Sequence, residues 1–107
     1  MEAANRLQLV QEMLKKDPND AFLLYALAIE IVNSGDKKEG IRQLEKLRMS
    51  QPDYLATYYQ LGKLYEELSQ NENAIPVYKE GLEIAKKQNN NKTYGEISEA
   101  LWLIEEE

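Results

Sequence analysis

The side chains in this sequence that could carry chemistry are almost all carboxylates. Nineteen acidic residues stand against 13 basic ones, and there is no histidine and no cysteine. Without histidine, no side chain ordinarily titrates near neutral pH. The commonest zinc ligands are missing as well, and no disulfide framework can form. Asp17, Asp20, Asp36 and Asp53 all fall at breaks between apolar stretches, where helix capping accounts for them. The glutamates are scattered over helix surfaces, so no two stand out as an acid and a base. Asp17-Pro18-Asn19-Asp20 offers oxygen ligands, but the central glycine and distal glutamate of a calcium loop are absent. No glycine-rich phosphate loop or nucleophile elbow is present. The sequence therefore predicts no catalytic residue, no metal site, no cofactor and no enzyme activity. What remains is recognition of another chain by apolar, aromatic and charged surface.

Such a surface needs a scaffold, and 107 residues suit one domain with a modest core. A composition 43% hydrophobic and 30% charged is ordinary for a globular protein. The net charge of −6 argues against nucleic acid and anionic membrane as main partners, because both require a basic patch. No apolar run approaches the roughly 20 residues of a membrane span. The first residues, Met1-Glu2-Ala3-Ala4-Asn5-Arg6, do not read as a signal peptide. A cytoplasmic location is the expectation.

Six helices are expected and no strand. Residues 3–16 carry a stripe of Leu7, Val10, Met13 and Leu14, with Lys15 and Lys16 suiting the negative dipole end. A second helix spans 20–33, capped by Asn19 or Asp20 and stopped by Ser34-Gly35-Asp36, with Gly35 fit for a left-handed C-terminal cap. A third, 37–49, is capped by Asp36 and uses Ile41, Leu44 and Leu47. Ser50-Gln51-Pro52-Asp53 ends it and is expected to cap a fourth helix over about 54–69. Asn71 is expected to cap a fifth over about 72–87, with Pro76 tolerated within or just past its first turn. After the polar break Gln88-Asn89-Asn90-Asn91, a sixth covers about 92–105 on Tyr94, Ile97, Leu101 and Ile104. Fraying is expected at its terminal glutamates.

A period organises these helices. Pro18 and Pro52 lie 34 residues apart, and the residues after them repeat: Leu24-x-x-Leu27-Ala28-x-x-Ile31, then Tyr58-x-x-Leu61-Gly62-x-x-Tyr65. A fixed period of this length marks a helical solenoid. The pattern resembles the tetratricopeptide repeat. Repeat two, 55–88, shows Tyr58, Leu61, Gly62 and Tyr65 on its first helix and Ala74, Tyr78 and Gly81 on its second, with Lys86 in place of the usual proline. Repeat one, 21–54, departs further, with a bulky Leu47 where a small residue is usual. Half repeats at 3–18 and 91–105 flank them, the last fitting if two residues are inserted in the asparagine run. The resemblance implies an all-α, right-handed superhelical stack of antiparallel helix pairs, forming one domain over 1–107. Small residues such as Ala28 and Gly62 would let paired helices approach closely, with an aromatic such as Tyr65 or Tyr78 filling the space.

The resemblance also implies function: a non-catalytic protein–protein interaction module. In that family the first helices of successive repeats line a concave face. Here they would present Phe22, Tyr25 and Ile29 from repeat one, and Tyr59, Lys63 and Glu66 from repeat two. The last helix would add Glu96, Glu99, Trp102 and Leu103. The slip of two residues after Lys86 would turn Trp102 toward this face. Aromatic anchors beside an acidic rim fit an apolar or basic peptide or helix. The carboxylate-binding pattern of some family members is absent, because Tyr25, Ile29 and Gln60 stand where lysine and asparagines would be. The alternatives are self-assembly, a homodimer through the C-terminal helix with Ala100, Trp102 and Leu103 covered, or a role as one fragment of a larger scaffold.

Overall fold

The structure, a computed structural model, describes residues 3–105. The expectation of fraying falls partly on Glu106 and Glu107, outside the described residues; Glu105 is helical. Six helices account for most of the described residues: α1 (Ala3–Lys16), α2 (Ala21–Asn33), α3 (Lys37–Ser50), α4 (Ala56–Glu67), α5 (Asn71–Lys87) and α6 (Asn91–Glu105). No strand occurs among the described residues. The chain divides into two compact units, one ending at Tyr54 and the other beginning at Leu55.

Capping chemistry sets several of the ends. The Asp20 carboxylate accepts from the Leu23 amide at 2.9 Å and Asp36 from the Glu39 amide at 3.0 Å. Each satisfies a donor that a helix leaves without an intrahelical acceptor. Asp36→Ala should therefore cost about 1 kcal/mol, read by urea denaturation; an unchanged midpoint would contradict this assignment. The Asn90 side chain caps α6 in the same way, accepting from the Thr93 amide at 3.0 Å.

Two expected caps need correction. The N-cap of α4 falls at Leu55, whose side chain makes no capping bond, so Ser50–Asp53 does not start that helix. The residues after Pro52 run through a turn first, and α4 begins at Ala56 rather than near 54. The N-cap of α5 is Gln70, one residue earlier than expected, because the preceding helix ends in a tight motif that delivers the chain there. In that motif the Gln70 amide donates to the Tyr65 carbonyl at 2.8 Å and the Ser69 amide to Glu66 at 2.9 Å. Ser69 takes a positive φ of 59° to allow it, which closes α4 at Glu67 rather than 69.

The same arrangement ends α2 and α5. Gly35, at φ 107°, donates to the Val32 carbonyl at 2.9 Å while Asp36 donates to Ile31 at 3.2 Å. Asn89, at φ 57°, donates to Lys86 at 3.1 Å while Asn90 donates to Ala85 at 2.9 Å. This paired pattern satisfies the last carbonyls of a helix and needs a left-handed residue. Gly35 fills that position as expected. Pro76 lies inside α5, just past the first turn, where it removes one backbone donor.

In the first unit α1 packs on α2 and α2 on α3. Its centre is Leu23, Ala28, Leu44 and Leu47. Arg6 on α1 reaches Glu30 on α2 at 3.1 Å. Met13, assigned from its spacing to the apolar stripe of α1, is 45% exposed. Gln51 donates its side-chain amide to the Asn19 carbonyl at 2.8 Å. The turns beside Pro18 and Pro52 are thus tied together.

In the second unit α4 packs on α5 and α5 on α6. Tyr58, Leu61, Val77, Tyr78 and Ile97 are fully buried. Gly62 and Gly81 face these aromatics: the ring of Tyr78 lies where a Cβ on Gly62 would go, and a Cβ on Gly81 would come within 2.6 Å of Tyr58 Cβ. The small-against-aromatic pairing expected for Gly62 is therefore present, and Tyr78 fills the space. Lys79 on α5 meets Glu105 on α6 at 3.7 Å.

Candidate protein-interaction surface

The second unit brings together side chains from its two outer helices. On α4, Tyr59 and Lys63 are one turn apart; on α6, Glu96, Glu99, Ala100 and Leu103 share one face, as their spacing dictates. These six residues line a groove of about 160 Å³. Tyr59, Ala100 and Leu103 make it apolar, while Lys63, Glu96 and Glu99 charge its rim. The α6 side is exposed except for Ala100: Leu103 keeps 52% of its surface in water.

Behind the groove lies a fixed polar cluster. Tyr78 donates its hydroxyl to the Glu66 carboxylate in a short hydrogen bond. The Tyr59 ring is tilted by 43° against Tyr78, with centroids 6.5 Å apart. Lys63 Nζ lies 5.9 Å from the centre of the Tyr59 ring and 4.0 Å from Glu66. Burial, then the hydrogen bond to Glu66, the Glu66 charge and the nearby Tyr59 raise the Tyr78 hydroxyl above the ordinary tyrosine value. Tyr78 is therefore a neutral donor at any physiological pH, and it pins Glu66, which in turn meets Lys63. The groove wall is preorganised by the core beneath it.

The first unit places its expected residues differently. Tyr25 stacks at a 54° tilt on Tyr54, centroids 5.9 Å apart. Burial and then the Asp20 charge raise Tyr54 above the usual tyrosine range. Ile29 is half-buried on the same helix. Phe22 is 62% exposed and lies in another hollow, lined also by Met13, Lys16, Asp17, Asp20 and Leu23. Met13 is the residue there that spacing alone did not mark, because it sits on the apolar stripe of α1.

Of the ten residues that the resemblance would present on the binding face, the groove in the second unit takes in Tyr59, Lys63, Glu96, Glu99 and Leu103, with Glu66 behind it. Trp102 is 60% exposed and stands outside the groove lining, beside Leu103, which lies in it. Among the described residues, no group of acidic side chains is placed to hold a metal ion, and no helix is long and apolar enough to cross a membrane.

Known proteins are similar to this chain in sequence and fold. The tetratricopeptide repeat profile matches residues 55–88, the span of repeat two. A tetratricopeptide repeat domain protein from Salinibacter ruber is similar in its crystal structure, with 37% identity, a TM-score of 0.76, and coverage of 80% of this chain and 96% of that one. Its solution NMR structure is similar at 38% identity, with a TM-score of 0.76, covering 79% of this chain and 86% of the other. The crystal structure of MamA covers 94% of this chain and 67% of its own at 17% identity and a TM-score of 0.65, a likeness of fold alone. No curated protein matches the sequence. The chain belongs to the tetratricopeptide repeat family. Domains of this family generally mediate protein–protein interaction and are generally non-catalytic, and the fold points to protein partners.

Proposed function

We propose that the protein is a non-catalytic binding module that holds an apolar or basic segment of a partner protein in the groove between α4 and α6. The observation that carries this reading is the groove's composition: an apolar floor of Tyr59, Ala100 and Leu103 beneath the carboxylates of Glu96 and Glu99. A tyrosine set over a buried core offers a large contact surface with little entropy left to lose, which is the character of a hot spot. The glutamates select a cation over an anion and speed its approach. Phe22, Tyr25 and Ile29 on α2 are proposed as further contact surface in the first unit, and Trp102 as contact surface on α6 beyond the groove. The net charge of −6 agrees with a partner that is not nucleic acid.

Titration calorimetry with a captured partner segment tests this. Tyr59→Ala should weaken binding about tenfold or more, and salt should weaken it further. A Tyr59→Ala chain that binds the segment as tightly as the native one would remove the groove from the account. A second reading, a homodimer through α6, rests on the exposure of Trp102 and Leu103. It predicts a two-copy species that Trp102→Ala dissolves.

A further inference from the structure

Charge is placed unevenly along this chain. Helix α3 presents Lys38, Arg42, Lys46 and Met49 on the face opposite its buried Gly40, Leu44 and Leu47. Spacings of four, four and three residues put the first four on one stripe. Met49 keeps 84% of its surface exposed, more than any other large apolar side chain among the described residues. Arg42 is 73% exposed and meets Glu39 at 3.4 Å, a surface ion pair of little net strength that leaves its guanidinium able to contact a second carboxylate. A basic helix face that ends in a protruding methionine is the complement of an acid-rimmed groove with an apolar floor.

We propose that this α3 face docks into the α4–α6 groove of a second copy of the chain. The pitch agrees. Arg42 and Lys46 are one turn apart, as are Glu96 and Glu99, so a helix laid along α6 meets its carboxylates in step. Met49 then falls opposite Leu103, one further turn along, where a flexible thioether adapts to the groove floor. Charge complementarity selects the occupant: two carboxylates against Lys63 leave the groove net acidic, so it disfavours acidic surfaces and accepts a basic helix face such as that of α3. The contact joins two different surfaces, so a pair joined once still holds one free α3 face and one free groove, which can take a further copy or each other. This inference rests on the groove reading above and names one partner for it.

Sedimentation velocity over a concentration series tests it. At low salt the mean mass of the native chain should rise with concentration above that of the monomer. In 1 M salt, where screening acts over about 3 Å, it should fall back to the monomer. The triple variant Lys38→Glu, Arg42→Glu, Lys46→Glu should weaken association about tenfold or more, and so should Glu96→Lys with Glu99→Lys. All five residues are exposed, and circular dichroism verifies that both variants keep their helices. The decisive arm is an equimolar mixture of the two variants, in which the native α3 of one meets the native groove of the other and the reversed α3 meets the reversed groove. Association restored in the mixture supports the proposal. A native chain that stays monomeric, variants that associate like the native chain, or a mixture that stays monomeric would overturn it. So would a species that stops at two copies and yields only to Trp102→Ala. If the native chain stays monomeric yet binds a foreign basic segment through Tyr59, the self-docking fails while the groove reading stands. If α3 reversal abolishes association but groove reversal does not, the self-docking fails for want of the groove.

Discussion

Replacing Tyr78 with alanine is expected to cost about 4 kcal/mol, the usual loss for deleting a fully buried aromatic ring. That is a large part of the 5–15 kcal/mol that holds an ordinary domain together. Tyr78 is completely buried, fills the space beside Gly62, and bonds Glu66 behind the groove. The two contributions separate by chemistry. Tyr78→Phe keeps the ring and removes only the hydroxyl, so it should cost about 1.5 kcal/mol, as for a hydrogen bond to a charged acceptor. The hydroxyl also gives a pH signature. Its raised folded-state value means that the folded chain holds a proton the unfolded chain releases above about pH 10. The native fold's advantage from this group is complete below that pH and is lost as pH climbs above it, at up to about 1.4 kcal/mol per pH unit. Urea denaturation of both chains checks this. The gap between native and Tyr78→Phe should narrow as pH passes 10, and a constant gap would contradict the assignment.

The second large effect is a reversal of sign among glycines. Gly62→Ala and Gly95→Ala make the same chemical change in helical glycines, and helix propensity alone favours alanine by about 1 kcal/mol at both. Around Gly95 nothing lies within 4 Å of a new Cβ, so Gly95→Ala should stabilise by about that amount. At Gly62 the new methyl would overlap the Tyr78 ring, which is buried and anchored through its hydroxyl and so cannot give way. The expected result is a net loss of about 3 kcal/mol, the upper range for an overpacked core. Gly81→Ala should behave likewise, since its Cβ would meet Tyr58 Cβ at 2.6 Å and Ile97 Cδ1 at 3.0 Å. Thermal or urea unfolding of the three variants is sufficient. Equal shifts at Gly62 and Gly95 would mean that the close approach of α4 and α5 is not what requires the glycine.

Legibility differed with the kind of signal. The 34-residue spacing and the pairing of Gly62 with an aromatic were readable because close packing leaves a residue-size pattern in the sequence. Asp20, Asp36 and Gly35 were readable for a similar reason: one backbone position allows few residue types. The caps of α4 and α5 were misjudged where that rule does not hold. Leu55 and Gln70 make no capping bond, and Ser69 accepts a left-handed conformation that serine does not advertise. The groove was half legible. Tyr59, Lys63, Glu96, Glu99 and Leu103 follow from helix register, but that Trp102 falls outside the lining depends on the packing angle of α6 on α5, which no spacing encodes. Met13 was hidden because a residue on an apolar stripe reads as core until its neighbours are counted.

The central claim is that the α4–α6 groove binds a partner segment. The direct measurement is an NMR titration of isotope-labelled protein with a captured segment, followed residue by residue. The largest shifts should cluster at Tyr59, Lys63, Glu96, Glu99 and Leu103 and vanish in Tyr59→Ala. Saturable shifts confined to surfaces away from α4 and α6, with those five resonances unmoved, would contradict it.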